Sequence, residues 1–177
     1  MVEFKKQGID LFVSDTAIIK YPKEILLGNH VAIDNFVSMT TSADIGDYVH
    51  IGPSVCVIGG VSSWLYMEHF SGISANCTIV CGSDDFTKGM LNPQVPFKYR
   101  KTKIGRVVFQ RFSCVGVNCT VMPNVVLGEG SVVGAGSVVT KDTEPWGIYI
   151  GSPAKRVGTR DKESVLNGAK ELGYENR

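Results

Sequence analysis

Apolar residues return at every sixth position along most of this chain. Set out from Leu27, the sequence reads LGNHVA, IDNFVS, MTTSAD, IGDYVH, IGPSVC, VIGGVS, each block opening on an apolar residue and carrying Val or Ala in the fifth slot. The same pattern resumes at Met67 with MEHFSG, ISANCT, IVCGSD, and at Phe109 with FQRFSC, VGVNCT, VMPNVV, LGEGSV, VGAGSV, VTKDTE. A period of six is the hexapeptide repeat of a parallel β-helix, in which each block supplies one short strand and one corner. Three blocks close a triangular coil, so equivalent positions recur every eighteen residues, as Leu27 and Ile45 do. The first position points inward and stacks on its equivalents. The fifth lies near a corner and admits only small or slender side chains, here Val31, Val37, Ala43, Val49, Val55, Cys77, Ser113, Cys119, Val125, Ser131 and Ser137. An antiparallel β protein alternates with a period of two, which also divides six; the fixed corner chemistry separates the two readings.

Breaks in the phase divide the chain. Residues 1–26 read as a lead-in strand and turn containing Pro22. Coils follow at 27–44, 45–62 and 67–84, with four extra residues in SSWLYM placing Trp64 and Tyr66 at a bulged corner. Residues 85–106 form one long loop with two prolines, two glycines and six basic residues, which a solenoid does not need and which such scaffolds commonly use for function. Coils resume at 109–126 and 127–144. The predicted organisation is a lead-in at 1–26, a β-helix domain at 27–160 and a short charged C-terminal helix at 161–177. Glycine recurs at the second hexad position, as at Gly28, Gly52 and Gly116, where it is read as meeting backbone conformations costly to other residues.

Composition narrows the function classes. The chain has 177 residues, 44% hydrophobic and 20% charged, enough for one well-buried core. Eighteen basic against seventeen acidic residues leave a net charge of +1, so nucleic-acid and anionic-membrane partners are not expected. MVEFKKQGID is not followed by an apolar run of signal-peptide length, and no stretch matches a bilayer span, so the expected location is cytoplasmic. The five cysteines lack metal-finger spacing and are explained by packing, as free thiols in a reducing compartment.

The hexad pattern, the single long loop after the third coil, VVGAGSVVTKD and the closing GSPAKRVG resemble the hexapeptide-repeat acyltransferases over residues 27–160. The resemblance implies an all-β, left-handed parallel β-helix, acetyl-CoA as donor, and a homotrimer with active sites between adjacent subunits. Within the family the chain is similar to sugar O- and N-acetyltransferases of surface-polysaccharide pathways, and more distantly to the maltose and galactoside acetyltransferases. It also implies that Gly116, Ala135, Thr140 and Lys141 wall the pantetheine groove. Lys155 and Arg156, with Arg160 nearby, are available for the anionic phosphates.

On the acceptor side the match changes. Where the maltose and galactoside enzymes carry a basic histidine, this sequence has Asp84, and two of their acceptor-binding positions fall on Ser54 and Ser63. A sugar hydroxyl needs a group that titrates near neutrality, whereas an amine bound neutral attacks a thioester unaided. The candidate catalytic residues are therefore His69, as proton-handling group, and Asp84; Asp85, His50 and Ser54 are candidates for acceptor contact. The expected activity is acetyl-CoA-dependent transfer to a sugar or nucleotide-linked amino sugar, with O- against N-acetylation open and no metal expected. Two alternatives use the same scaffold: a non-catalytic assembly subunit, and a γ-type carbonic anhydrase, which needs three convergent histidines where this chain has His30, His50 and His69 on separate coils.

Overall fold

The structure, a computed structural model, describes residues 3–175. The chain winds into a parallel β-helix of about seven turns. Its first face is built from Phe12–Val13, Ala32–Ile33, His50–Ile51, Gly72–Ile73, Cys114–Val115, Val132–Val133 and Gly147–Ile150, each in parallel register with the next. Two further faces follow the same rule. Along the third, Leu27, Ile45, Met67, Phe109 and Leu127 stand in direct register, and all are buried. These are the first-position residues of the hexads. Burying such a side chain contributes roughly 1.5–3 kcal/mol, and the stack runs the length of the helix. The eleven small fifth-position residues are buried as well.

The corner geometry differs from the sequence reading in one respect. Left-handed backbone occurs at the fourth hexad position, as at Tyr48 (φ 57°) and Phe70 (φ 61°), and not at the second-position glycines. Those glycines are required by close approach: a Cβ on Gly116 would lie 2.9 Å from the Ala135 nitrogen of the next coil. One line of fourth-position side chains forms an aromatic ladder along a corner. His30 stacks on Tyr48 at 4.4 Å, Tyr48 on Phe70 at 5.0 Å, and Phe70 on Phe112 at 5.3 Å. Gly130 leaves the next rung empty, and the Trp146 ring fills it.

The solenoid also begins earlier than the hexads indicate. Phe12–Val13, Ile18–Ile19 and Ile25–Leu27 pair in parallel with the following coil, so much of 1–26 belongs to the β-helix. The partner offset is twenty residues at Ile19↔Met39 but eighteen at Leu27↔Ile45. Two additional residues near the 3-10 turn Pro22–Glu24 thus put the first coil out of phase with the later hexads. The break near Trp64 also shifts. Thr41 pairs with Gly60 and Ser42 with Trp64, so residues 61–63 form the bulge, while Trp64 and Tyr66 stand in register beyond it. Thr41 Oγ1 donates to the Ser63 carbonyl at 2.7 Å and Ser42 Oγ to the Val61 carbonyl at 2.6 Å, satisfying the backbone there.

Cys81 is still buried in the core, and from Ser83 the chain leaves the coil as an arm. Ser83–Asp84 pairs antiparallel with Thr102–Lys103 at its foot, and the chain rejoins the third face at Arg106–Phe109. At the far end of the helix, Lys155–Thr159 folds back antiparallel on Gly147–Ile150 and closes the first face. The helix Lys162–Glu171 is capped by Asp161, whose carboxylate accepts from the Glu163 and Ser164 N–H groups. Ala169 and Tyr174 bury themselves beside Phe112 and Trp146, which fixes the C-terminal segment against the aromatic corner.

Candidate active site

At the foot of the arm lies a cleft of about 710 Å³. The first coil brings Lys20 and Tyr21 to it, the bulge brings Gly60 to Ser62, and the arm brings Asp84, Phe97 and Arg100. Asp84 is held by the short antiparallel ladder. Its Oδ1 accepts from Arg100 Nη2 at 2.9 Å, with the two side chains 13% and 19% exposed. Its Oδ2 has no hydrogen-bond partner among the described residues. The neighbouring Asp85 is used differently. Its Oδ1 accepts from the Thr87 hydroxyl at 2.7 Å and from the Thr87 N–H at 3.0 Å, and Lys103 lies 3.2 Å away. The Thr87 hydroxyl and N–H, aided by Lys103, hold the Asp85 carboxyl down at about 2. Asp85 therefore organises the start of the arm.

The other acceptor-side candidates do not gather at this cleft. His69 belongs to the hexad opening at Met67 and Asp84 to the one opening at Ile79, so they occupy different corners of the coil. His69 Nδ1 accepts from the Asp47 N–H at 2.8 Å, and its ring meets Tyr174 edge-on at 5.6 Å. Within one chain it joins the aromatic corner and the C-terminal segment, not Asp84. His50 lies on the outer side of the first face, with Nε2 2.8 Å from Asp34 Oδ2. Ser54 is exposed at a third corner in left-handed backbone, and Ser63 is buried in the bulge. The three histidines do not converge, since His30 pairs with Asp10 at 2.8 Å.

The donor-side candidates form a partial line. Gly116 and Ala135 are in contact at one corner, and Lys155 pairs with Ile150, which itself touches Gly134. Ala135 is exposed, and a Cβ added to Gly136 beside it would meet nothing, so this corner presents open, nearly bare backbone. That surface suits a thin amide-bearing arm. Thr140 and Lys141 are exposed one hexad further on, at the corner that also carries Asp84. Arg156 is already engaged: Nη1 reaches Glu144 at 2.6 Å and Nη2 reaches Thr159 Oγ1 at 3.1 Å. Sequence reasoning missed Lys20 and Tyr21, whose coil is out of phase, and Arg100, whose pairing crosses sixteen residues of irregular arm without any period to reveal it.

A second hollow, about 640 Å³, opens at the first coil and is lined by Phe4, Leu11, Val13 and Ala17 together with Gln7, Ser14 and Asp15. It presents no counterpart to the Asp84–Arg100 pair.

No family model matches the chain. It is 32% identical over 164 residues to the dTDP-4-amino-4,6-dideoxy-D-glucose acyltransferase of Escherichia coli, covering 90% of this chain and 84% of that enzyme. The solved structure of AntD, an N-acyltransferase from Bacillus cereus in complex with dTDP and 3-hydroxybutyryl-CoA, superposes with a TM-score of 0.91 at 31% identity, covering 99% of this chain and 94% of that one. A serine-to-cysteine mutant of AntD has also been solved with dTDP-4-amino-4,6-dideoxyglucose and coenzyme A. A hexapeptide-repeat acetyltransferase from Vibrio cholerae in complex with acetyl-coenzyme A shares the fold at a TM-score of 0.58 and 24% identity, covering 90% of this chain and 73% of that one.

Proposed function

The chain belongs to the hexapeptide-repeat acyltransferases, and from that premise we propose that it transfers the acyl group of an acyl-CoA to the amino group of a dTDP-linked 4-amino-4,6-dideoxy sugar. The observation that carries this reading is Asp84, which lines the cleft with Oδ1 held by Arg100 and with no hydrogen-bond partner on Oδ2 among the described residues. A carboxylate so placed accepts a hydrogen bond from the sugar amine and orients its lone pair. The nitrogen attacks the thioester carbonyl carbon, the C–S bond breaks as the tetrahedral intermediate collapses, and the coenzyme A thiolate leaves. The proton lost from nitrogen balances the one the thiolate takes up. An amine nucleophile removes the need for a histidine base, which agrees with the engagement of all three histidines elsewhere. Cations Lys20 and Lys103 in the same cleft suit a diphosphate.

A second observation supports both Asp84 and a site shared between subunits. AntD was crystallised with ligands as variants of an aspartate and of a serine ten positions earlier. Ser74 and Asp84 are the one serine–aspartate pair in this chain with that order and spacing. They belong to the hexads opening at Ile73 and Ile79, at successive corners of one coil. A site using both draws naturally on two chains, in keeping with a homotrimer. On this reading Gly116, Ala135, Thr140, Lys141 and Lys155 face the acyl-CoA.

The test is acyl transfer to dTDP-4-amino-4,6-dideoxyglucose, with acetyl-CoA and 3-hydroxybutyryl-CoA compared as donors. Turnover that Asp84→Asn lowers about 10²-fold or more supports the reading. Wild-type protein inert toward the amino sugar but active on a sugar hydroxyl refutes it.

A further inference from the structure

Arg100 departs from the sequence logic of the arm, where basic residues are otherwise exposed or attached to carboxylates at its margin. It caps the 3-10 turn Phe97–Tyr99 and turns inward. Its two terminal nitrogens bridge two parts of the arm: Nη2 donates to Asp84 Oδ1 at 2.9 Å, and Nη1 makes a longer contact to the Pro93 carbonyl at 3.4 Å. Its Nε is enclosed and has no partner among the described residues. A partly buried ion pair with an unsatisfied N–H contributes little to stability, because desolvation offsets the attraction. Stability therefore does not account for it; geometry does. Lys20 and Lys103 line the same cleft, and either would draw a freely rotating Asp84 carboxylate away from one direction. A planar guanidinium holding one oxygen prevents that, which a flexible ammonium does not.

We infer that Arg100 is a positioning residue of the transfer reaction: it fixes the Asp84 carboxylate so that Oδ2 faces the acceptor nitrogen. Because Arg100 sits on the returning leg of the arm, Asp84 is correctly aimed only while the arm is folded over the cleft. The inference rests on the amino-sugar reading of that cleft.

The test uses the full-length enzyme with dTDP-4-amino-4,6-dideoxyglucose and acetyl-CoA, comparing wild type, Arg100→Gln, Arg100→Lys, Asp84→Asn and the Arg100→Gln/Asp84→Asn double variant. Arg100→Gln should lower kcat/KM for the amino sugar roughly 10–100-fold while the KM for acetyl-CoA stays within about twofold. Arg100→Lys should recover little, and the double variant should be no worse than the poorer single one, because the two residues act as a unit. Multiplying losses in the double variant, or an unchanged kcat/KM in Arg100→Gln, would overturn the inference. Crystal structures of wild type and Arg100→Gln give a readout independent of the acceptor. An Asp84 side chain turned from its wild-type rotamer supports the positioning role, and an unmoved one refutes it. Failure of the amino-sugar reading would instead appear as a wild-type enzyme inert toward that substrate.

Discussion

Tyr174 donates its phenolic hydrogen bond to Asp47 Oδ2 at 2.8 Å, joining residues 127 positions apart in sequence. Arg111 Nη2 donates to the Tyr174 carbonyl at 3.0 Å, so the C-terminal segment is held at both side chain and backbone. Tyr174→Phe keeps the ring against Tyr48 and Phe70 but leaves Asp47 short of a donor. We expect a loss of about 1–2 kcal/mol in denaturant unfolding, with acyl transfer unchanged because Asp84 occupies another corner. A loss of turnover equal to that of Asp84→Asn would place this corner in the site.

The same carboxylate sets an acid limit. Burial acts to raise the Asp47 pKa, but hydrogen bonds from the Asn29 N–H and the Tyr174 hydroxyl and the charge of His69 bring it below the ordinary value. Asp85 is depressed as well. A carboxyl depressed in the folded state contributes stability that is present above its unfolded pKa, about 3.9, and lost as pH falls through the folded value. The melting temperature should be nearly flat, as far as these groups go, from pH 7 to about 5, then fall below about pH 4. Asp47→Asn should flatten part of that acid limb. An unaltered limb in the variant would show that Asp47 does not contribute to it.

Two left-handed glycines distinguish backbone strain from collision. Gly130 (φ 67°) would place a Cβ 2.3 Å from the Trp146 ring, whereas at Gly136 (φ 70°) the Cβ meets nothing within 4 Å. Gly136→Ala should cost about 1 kcal/mol from conformation alone, and Gly130→Ala roughly 2–4 kcal/mol, measured by urea titration. Equal costs would mean that the aromatic corner yields without penalty.

Donor binding should separate Lys155 from Arg156. Lys155→Ala should weaken acetyl-CoA binding about three- to tenfold in calorimetry and leave the melting temperature unchanged, since the residue makes no ion pair among those described. Arg156→Ala should also release Glu144 and Thr159. Unaltered affinity in the double variant would move the phosphate subsite elsewhere.

A site shared between chains predicts complementation. Ser74→Ala and Asp84→Asn subunits, unfolded together and co-refolded, should form mixed oligomers more active than either parent, because some interfaces then hold both wild-type residues. A mixture no better than its parents, or a monomer by sedimentation, would reject the shared site.

Residue chemistry at a spacing of six was sufficient to establish the β-helix, because every hexad meets the same packing constraints and so repeats its signature. It placed the stacked core from Leu27 to Leu127 and the small corner residues, and its resemblance to the acyltransferases singled out Asp84. Local repetition could not register what happens out of phase. Two extra residues hid the first coil, and with it Lys20 and Tyr21 in the cleft. Gly116 is required by contact with the adjacent coil, which depends on the interval between coils and not on its own backbone angle. The separation of His69 from Asp84 is already set by the hexad phase, fifteen residues placing them on different corners of one triangular coil, but only the fold shows the docked tail meeting the histidine. Arg100 reaches Asp84 only because the arm folds back on its own foot, a long-range contact between irregular segments that carries no period and is decided by three-dimensional packing.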